Sequence, residues 1–532
     1  MSTAPVAKKI PHAMTIHGHE RTDPYFWMRD NERKNPDVIA HLEAENRHAA
    51  AVLEPSEALR KTLFEELKGR IKKDDSSVPV RRRNYWYYVR HEADREYPIY
   101  CRRQGSMEGQ EEVMLDVNIL AEGHEYFSVG GLVVSEDEQL IAYTEDTLSR
   151  RIYTVRFKNL STGETLGDQI PGVSQDLAWA ADNKTLFYVD KDEQTLREFK
   201  VRRHVLGTPT SADVTVHEEK DESFYVSVSR SKSRRFVFID MQSTLVSEVL
   251  ALDAGEPAGA FTPVVARAHE VEYSVAHHKD TFYIRTNDKA LNFKLMAAPV
   301  QTSADQATWR EIVPNRDNVL LSSVDVFEEH LVLGERKDGL RQLRVIRWDD
   351  QSEHYIAFDD PVFVAYASGN PEFQTTKLRY VYSSLLTPNS VVEYDMVSRE
   401  RRLLKQDKVL GGFDPGNYRM ERRWATARDG ARIPLSIIVP KDFKTDGTHP
   451  FYQYAYGSYG YSNDPWFVGS WLSLLDRGFG VAIAHIRGGQ EMGRQWYDDG
   501  KMFNKMNTFT DFVDGSKFLI KEGYTSADRL AA

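Results

Sequence analysis

The loop Tyr456-Gly457-Ser458-Tyr459-Gly460 contains residue types that can stabilise a developing negative charge. It follows residues 451–456, an apolar run with the composition of a buried strand. Glycines let the backbone adopt unusual dihedral angles and approach a ligand closely. The hydroxyl of Tyr456 is a hydrogen-bond donor at the strand end, and acyl transfer needs donors aimed at the oxyanion. The alternative is a structural tyrosine that caps a buried strand in a tight turn.

A second loop, Arg487-Gly488-Gly489-Gln490-Glu491, follows the next apolar run, residues 481–486. Ligands of open α/β folds bind at the carboxyl ends of the strands, so we expect both loops at one edge of a sheet. A charge-assisted pair between Arg487 and Glu491 would order that edge, which is a structural role. This strand and loop order is typical of an α/β-hydrolase just before its nucleophile elbow. No G-x-S-x-G occurs in the 532 residues, however, and RLAA at the end of the chain opens only the next strand.

Other candidate sites are excluded by spacing or explained more simply. Gly478 and Gly480 begin a dinucleotide-binding pattern, but Ile483 occupies the third glycine position. His277 and His278 lack metal-ligand spacing and are predicted to lie in a solvated turn. The basic residues 81–83 precede aromatic residues, as in single-strand binders, yet a strand edge in an acidic protein explains them better. We therefore expect no cofactor, no metal and no nucleic-acid partner.

The bulk composition is that of a globular protein with more than one domain. The chain has 532 residues, of which 41% are hydrophobic and 28% are charged, and its net charge is −11. The acidic balance disfavours phosphate binding and mildly favours cationic ligands. A single cysteine, Cys101, rules out an internal disulfide and suits a reducing compartment. Since no signal peptide or membrane span is apparent, we expect a soluble cytoplasmic protein with no membrane partner. We also expect a monomer.

Helical periodicity dominates the first segment, residues 1–75. Apolar residues recur at helical spacing from Val38 to Ala51, and Pro55 interrupts the pattern. Leu59, Leu63 and Ile71 then mark one face of a second helix. The sequence thus predicts that two helices precede any strand.

Short β-rich runs separated by polar turns fill residues 76–415. They recur with a period of roughly 45 to 55 residues, which is the length of a four-stranded propeller blade. β-Sandwiches would also give short strands, but not this sustained spacing. The sequence therefore predicts a seven-bladed β-propeller. The seven runs begin at Asn84, Gln139, Thr185, Arg235, Thr281, His330 and Leu378.

Residues 416–532 alternate strands and helices, which predicts the N-terminal half of an α/β-hydrolase domain. Asp429-Gly430 is a strong turn pair and predicts a hairpin. A short helix ends at Gly478, and a longer one is predicted with Asn507 or Thr508 as its N-cap and Gly523 as its C-terminal stop.

Several motifs in a fixed order resemble the prolyl oligopeptidase family of serine peptidases, and within it the oligopeptidase B branch. The resemblance covers essentially the whole chain. It begins with HGHERTDPYFWMRD at residues 17–30, HLEAEN at 41–46 and SRRIYTVRFKNL at 149–160. The most specific run of motifs is YAYGSYG at 454–460, LSLLDRGF at 472–479, HIRGGQEMG at 485–493, and WYDDGK with KMNTFTDF between 496 and 512.

The resemblance implies a fold in which a seven-bladed propeller caps an α/β-hydrolase domain, with residues 1–75 packing on the latter. It implies cleavage of short peptides, on the carboxyl side of Lys or Arg if the B branch is correct. Tyr456 matches the family's oxyanion-hole tyrosine, and Tyr459 matches an aromatic position on the S1 side of the cleft. None of the Ser, Asp and His of the family's triad is found in this chain, so we expect the polypeptide as it stands to be inactive.

Two other functions stay open at this point. One is a non-catalytic binding protein that uses the propeller as an interaction platform. Against this alternative, a hydrolase sheet halted after its fourth or fifth strand would expose an unpaired edge. The other is a peptidase of the same fold that is specific for proline or for acylated amino acids.

Overall fold

The computed structural model describes residues 3–532, and their internal contacts divide the chain into two units at Ile71 and Lys72. The first unit begins with a hairpin of two strands, His12–Ile16 (β1) and His19–Asp23 (β2). Helices Pro36–Leu53 (α1) and Glu57–Gly69 (α2) follow. The prediction that helices come first is therefore wrong, because both hairpin strands are short and largely exposed, and β2 contains no apolar residue that would mark it as a strand.

Local signals explain the bounds of the first long helix. The side chain of Asn35 accepts a hydrogen bond from the amide of Asp37 at 3.0 Å, and Pro36 occupies the first helical position. Both features are favourable at a helix N-terminus. The helix ends at Leu53, just before Pro55, as the sequence predicts.

Antiparallel sheets of consecutive strands occupy residues 80–406 of the second unit. The first contains Val80–Arg82, Tyr85–Arg90, Ile99–Gln104 and Glu111–Asp116 (β3 to β6), and the short helix Val117–Leu120 (α3) follows it. The second contains Ser128–Val134, Leu140–Asp146, Tyr153–Asn159, Thr165–Trp179, Thr185–Lys191, Glu198–Val205 and Val214–Glu218 (β7 to β13).

The later sheets of this region are all four-stranded. They contain Tyr225–Arg230, Phe236–Gln242, Ser247–Asp253 and Thr262–Pro263 (β14 to β17); Tyr273–His278, Thr281–Thr286, Lys294–Pro299 and Arg310–Val313 (β18 to β21); Val319–Val326, His330–Lys337, Leu340–Arg347 and Glu353–Tyr355 (β22 to β25); and Val364–Ala367, Lys377–Ser383, Ser390–Asp395 and Arg401–Gln406 (β26 to β29).

The prediction of a seven-bladed propeller is corrected by this topology. Within residues 3–532, five sheets are four-stranded blades, and residues 128–218 form one continuous seven-stranded sheet. The reason is β10, whose 15 residues pair with β9 through residues 165–173 and with β11 through residues 173–179. Gly172, at φ +76°, lies at a register shift in this strand, so the chain bends within the sheet instead of leaving it. The seven β-rich runs do all form strands, namely β4, β8, β11, β15, β19, β23 and β27.

Apolar side chains pack between neighbouring sheets, which produces the propeller arrangement. One cluster joins Phe187 of β11 to Val226 and Ile239 of the next sheet. The first and last sheets also meet, because Arg379 donates to the carbonyl of Pro79 at 2.5 Å. In addition, the amide of Arg83 donates to Glu372 at 2.6 Å. No strand passes between these two sheets in the described part of the chain, so side chains make this contact.

The remainder of the second unit is a mixed sheet with helices on its two faces. Its strands are Tyr418–Thr426 (β30), Arg432–Pro440 (β31), Phe451–Tyr454 (β32), Gly480–Ala484 (β33) and Leu530–Ala531 (β34), and its helices are Leu472–Leu475 (α4), Arg494–Asp498 (α5) and Met506–Lys521 (α6). The strand order is β30-β31-β33-β32-β34, and β32 is parallel to both β33 and β34.

The two faces of this sheet have separate cores. Leu435 and Phe451 pack with Leu519 of α6 on one side, whereas Ile483 packs with Leu472 of α4 on the other. The hairpin predicted at Asp429-Gly430 is confirmed by the pairing of β30 with β31. The predicted N-cap of α6 is wrong, since Lys505 holds that position, while Gly523 follows the helix at φ +76° as expected. In residues 3–532 no helix is both long and apolar enough to span a membrane.

Candidate functional site

The loops that follow β32 and β33 meet at one edge of the sheet. Because the two strands are parallel, their carboxyl ends lie at the same edge. The amide of Gly460 in the first loop donates to the carbonyl of Gly488 in the second at 2.9 Å. A Cβ on Gly488 would lie 2.0 Å from the carbonyl oxygen of Gly457, so only glycine permits this approach. The predicted common edge is therefore present.

Tyr456 lies just beyond β32 with its side chain half-exposed. Its relative accessibility is 48%, and its ring packs edge-on against Tyr461 with the centroids 5.6 Å apart. Its hydroxyl has no hydrogen-bond partner within residues 3–532. Tyrosine hydroxyls usually have a hydrogen-bond partner when they are buried, so Tyr456 differs from a tyrosine that caps a buried strand.

Hydrogen bonds fix the first part of this loop, whereas the residue at its apex is exposed to solvent. Tyr459 is 83% exposed and adopts φ +55°, a conformation that is uncommon for residues other than glycine. The ammonium group of Lys505 donates to the Ser458 hydroxyl at 2.6 Å and also to the carbonyl of Gly457. The start of α6 thus fixes the base of the loop and leaves the Tyr459 ring in solvent.

Arg487 anchors the second loop, although not through the pair that the sequence predicts. Its Nε and Nη2 atoms donate to Asp511 at 2.8 and 2.6 Å, and Nη1 donates to Asp429 at 2.6 Å. Hydrogen bonding to Asp511, together with that to Asp429, raises the pKa of Arg487. The expected Arg487–Glu491 pair is not formed, because two carboxylates from the hairpin turn and α6 already occupy the guanidinium. The structural role predicted for Arg487 stands.

Glu491 belongs to a buried network with Ser436 and His485. The Ser436 hydroxyl lies 2.8 Å from His485 Nε2, and His485 Nδ1 lies 3.9 Å from Glu491. These residue types are those of a hydrolytic triad, but all are buried, so no substrate can reach the hydroxyl. Arg422 also donates to the Ser436 hydroxyl at 2.9 Å. Burial lowers the pKa of His485, which favours its neutral form. The network is a structural element behind the loop.

Ion pairs between the propeller and the α/β half form a further cluster that the sequence analysis misses. Asp464 is buried and accepts from Arg336 at 2.7 Å, while Arg341 Nε lies 2.8 Å away. Arg494 donates to Glu272 at 2.5 Å. These partners are separated by more than a hundred residues, and nothing in their local sequence marks them as pairs.

The weaker sequence candidates prove to be structural. His277 and His278 are buried, so the prediction of a solvated turn is wrong. Burial, followed by the charge of Arg235, lowers the pKa of His277 to about 4. Gly480 is required for packing, since a Cβ there would lie 2.1 Å from the Phe451 ring. No group of acidic, His or Cys side chains suited to a metal ion occurs in the part of the chain that the structure describes.

Comparisons with known proteins match two stretches of the chain, one that begins in the first unit and one at the end of the second. Residues 5–407 match the family model described as "Prolyl oligopeptidase, N-terminal beta-propeller domain". Residues 466–532 match the model described as "Prolyl oligopeptidase family".

Curated relatives and solved structures extend this likeness. The chain is 46% identical to Dipeptidyl aminopeptidase BI of Pseudoxanthomonas mexicana, over all of this chain and 75% of that protein. It is 34% identical to Protease 2 of Moraxella lacunata, over 99% of this chain and 76% of that protein. Oligopeptidase B from Leishmania major superposes with a TM-score of 0.94 at 35% identity, covering 100% of this chain and 78% of that one. Oligopeptidase B from Trypanosoma brucei, solved in a closed form with covalently bound antipain, superposes with a TM-score of 0.92 at 32% identity, covering 99% and 78%.

Proposed function

The chain belongs to the prolyl oligopeptidase family of serine peptidases, and from this premise we propose that it forms the propeller and the oxyanion side of an oligopeptidase that cleaves short peptides after Lys or Arg. The propeller would restrict access to short peptides. The observation that carries the proposal is the half-exposed Tyr456, whose hydroxyl lies unpartnered at the edge where β32 and β33 end.

In this proposal Tyr456 acts on the tetrahedral intermediate of acyl transfer. Its hydroxyl donates to the oxyanion, beside a backbone amide of the residue that follows the nucleophile. Attack itself needs a serine activated by a histidine, which an acidic residue orients. Residues 1–532 contain no G-x-S-x-G sequence, so we propose that the 532-residue polypeptide alone has no peptidase activity.

The preference for a basic residue before the scissile bond rests on two supports. The loop reads GSYG, as in the oligopeptidase B branch, and the chain carries a net charge of −11, which favours cationic peptides at long range. Tyr459, exposed at the loop apex, would supply an aromatic surface on the S1 side. We propose that the protein acts as a monomer, for which light scattering should give a mass near 61.1 kDa.

A second candidate is removal of dipeptides from the amino terminus of a peptide. It is favoured by the printed name of the 46% identical relative, Dipeptidyl aminopeptidase BI. The two candidates differ in one property that can be measured. An aminopeptidase requires a free α-amino group on its substrate, whereas an endopeptidase also cleaves peptides whose amino terminus is blocked.

The experiment compares the 532-residue chain with the same chain joined to the remaining quarter of Dipeptidyl aminopeptidase BI. Fluorogenic substrates would carry Arg, Lys, Pro or an acyl-amino acid before the bond, each with a free and a blocked amino terminus. We expect no hydrolysis by the first polypeptide and preferential cleavage after Arg and Lys by the second. Hydrolysis by the 532-residue chain, or a preference for Pro or acyl-amino acids, would refute the proposal.

A further inference from the structure

An open cavity of about 480 Å³ lies where the first strands of three sheets converge. It is lined by Arg82 at the end of β3, by residues 230–234 at the end of β14 and by residues 370–374 after β26. Because these segments belong to separate sheets, the cavity lies at the centre of the propeller arrangement. Its volume would hold roughly 16 water molecules at about 30 Å³ each, which exceeds the space that one small ion needs.

The cavity lies at the end of the first strands that faces away from the α/β half. His277, near the end of β18, is 2.7 Å from the Ser233 hydroxyl beside the cavity. Glu272, just before the start of the same strand, binds Arg494 of the α/β half. The cavity is therefore separated from the α/β half, which contains Tyr456, by about the length of β18.

Cationic side chains outnumber the carboxylates that neutralise them here. The cationic lining residues are Arg82, Arg230, Lys232 and Arg234, and Glu372 is the acidic residue among them. Asp325 neutralises Lys232 at 2.6 Å, and Glu136 lies 4.0 Å from Arg234 and 3.5 Å from Arg83.

Two of these guanidinium groups have no carboxylate of their own. Arg230 donates to the carbonyl oxygens of Trp179 and Arg234, and neither Arg230 nor Arg82 forms an ion pair within residues 3–532. Burial, followed by the neighbouring charge of Arg83, lowers the pKa of Arg82. Burial is also the main cause that lowers the pKa of Arg230. Arginine stays protonated in proteins, and Glu136 is the carboxylate whose charge acts on both Arg82 and Arg230, so cations remain in excess at this point despite the net charge of −11.

We propose that this cavity binds a small polyvalent oxyanion, held by the guanidinium groups of Arg82 and Arg230. Both guanidinium groups are only partly buried, and charges removed from water even in part are stabilised by a counter-charge, which an oxyanion would provide here. Guanidinium groups present planar pairs of donors that match carboxylate and phosphate oxygens. The hydroxyl groups of Ser231 and Ser233 line the same cavity and lie 3.0 Å from each other, so they form part of its polar wall. This site is independent of the peptidase function proposed above.

Isothermal titration calorimetry of the 532-residue chain with pyrophosphate and with citrate tests the proposal. At low ionic strength we expect one anion to bind per chain, and Arg82→Met and Arg230→Met each to weaken binding at least about tenfold. The matched control is Arg235→Met, because Arg235 lies nearby but is already paired with Asp280 at 3.2 Å and does not line the cavity. Tighter binding of pyrophosphate would identify a phosphoryl ligand, and tighter binding of citrate a carboxylate ligand.

A second measurement does not depend on the variants remaining folded. Crystals of the unsubstituted chain soaked in tungstate should show anomalous density between Arg82 and Arg230. Absence of this density, absence of binding heat from both anions, or equal affinities in Arg230→Met and Arg235→Met would each overturn the proposal.

Discussion

The carboxylate of Asp464, in the α/β half, accepts a hydrogen bond at 2.7 Å from Arg336 in the propeller, and both side chains are buried. A second guanidinium, that of Arg341, lies 2.8 Å from the other carboxylate oxygen. One acidic residue thus neutralises two cations where the two parts of this unit meet.

Replacing Asp464 by Asn should destabilise the protein strongly. The change would leave two guanidinium groups without a counter-charge, and breaking a buried ion pair from one side costs about 3–5 kcal/mol. The matched control is Asp349→Asn, since Asp349 is 81% exposed and lies 3.7 Å from Arg347. We expect less than about 1 kcal/mol there. Urea unfolding of both variants measures the difference, and equal midpoints would contradict this interpretation of Asp464.

Replacing Arg487 by Lys should loosen the loop next to Tyr456. Lysine cannot make the paired contacts to Asp511 while also reaching Asp429. We expect faster amide exchange at Gly460, whose N–H bonds to the carbonyl of Gly488. Hydrogen–deuterium exchange measures this effect.

Arg428→Lys provides the control for that prediction. Arg428 makes a paired contact to Asp514 with distances of 3.0 and 2.9 Å, yet its side chain is 52% exposed. Exposed pairs contribute little, so we expect exchange at Gly460 to stay unchanged. If both variants exchanged alike, burial of the Arg487 pair would not be what fixes the loop.

Acidification should destabilise the chain partly through His277. Its pKa falls from 6.5 to about 4 on folding, because burial disfavours the charged ring. A lowered pKa means that the unfolded chain binds a proton first, so this contribution to stability is complete above pH 6.5 and is lost as the pH falls towards 4. At pH 5 we expect a loss of about 1–2 kcal/mol relative to pH 7.

The variant His277→Gln isolates this contribution from other titrating groups. The variant should show a smaller drop in unfolding free energy between pH 7 and pH 5 than the unsubstituted chain. Urea unfolding at the two pH values supplies the comparison. An identical drop in both proteins would assign the acid sensitivity to other groups.

In the fusion with the remaining quarter of Dipeptidyl aminopeptidase BI, we expect Tyr456→Phe to lower kcat with little change in KM. Loss of one oxyanion donor typically costs a factor of about 10²–10³ in kcat. Tyr461→Phe is the control, because its ring packs on Tyr456 and it also loses only a hydroxyl. Steady-state kinetics on an Arg substrate distinguishes the two, and similar values for both variants would argue against Tyr456 as the oxyanion donor.

Local features of the sequence predicted where strands and helices lie better than they predicted which distant residues contact each other. The β-rich runs were identifiable because apolar character in short segments is set by neighbouring residues, and all of them form strands. The meeting of the Tyr456 and Arg487 loops followed from the general rule for parallel strands. The hairpin β1–β2 was missed because its strands are only five residues long and largely exposed, and β2 has no apolar residue.

Contacts between distant segments were not predictable from one sequence. Arg487 forms an ion pair with Asp511 and not with Glu491, which is closer in sequence, because α6 packs against the sheet and brings Asp511 to the guanidinium. The propeller prediction was wrong for a related reason. The strand after β9 continues into the next part of the same sheet because the chain bends at Gly172, so no new sheet begins there. The spacing of apolar runs carries no information about that bend.

Because β10 pairs with both β9 and β11, residues 128–218 form one sheet whose neighbouring strands are all joined by backbone hydrogen bonds, with register shifts along β10. The interface between the first and last sheets has no hydrogen bonds between paired strands. It depends on side-chain contacts such as those of Arg379 with Pro79 and of Glu372 with Arg83. Under mechanical load or on heating, the propeller arrangement would therefore open at the interface between the first and last sheets, while the sheet of residues 128–218 stayed intact.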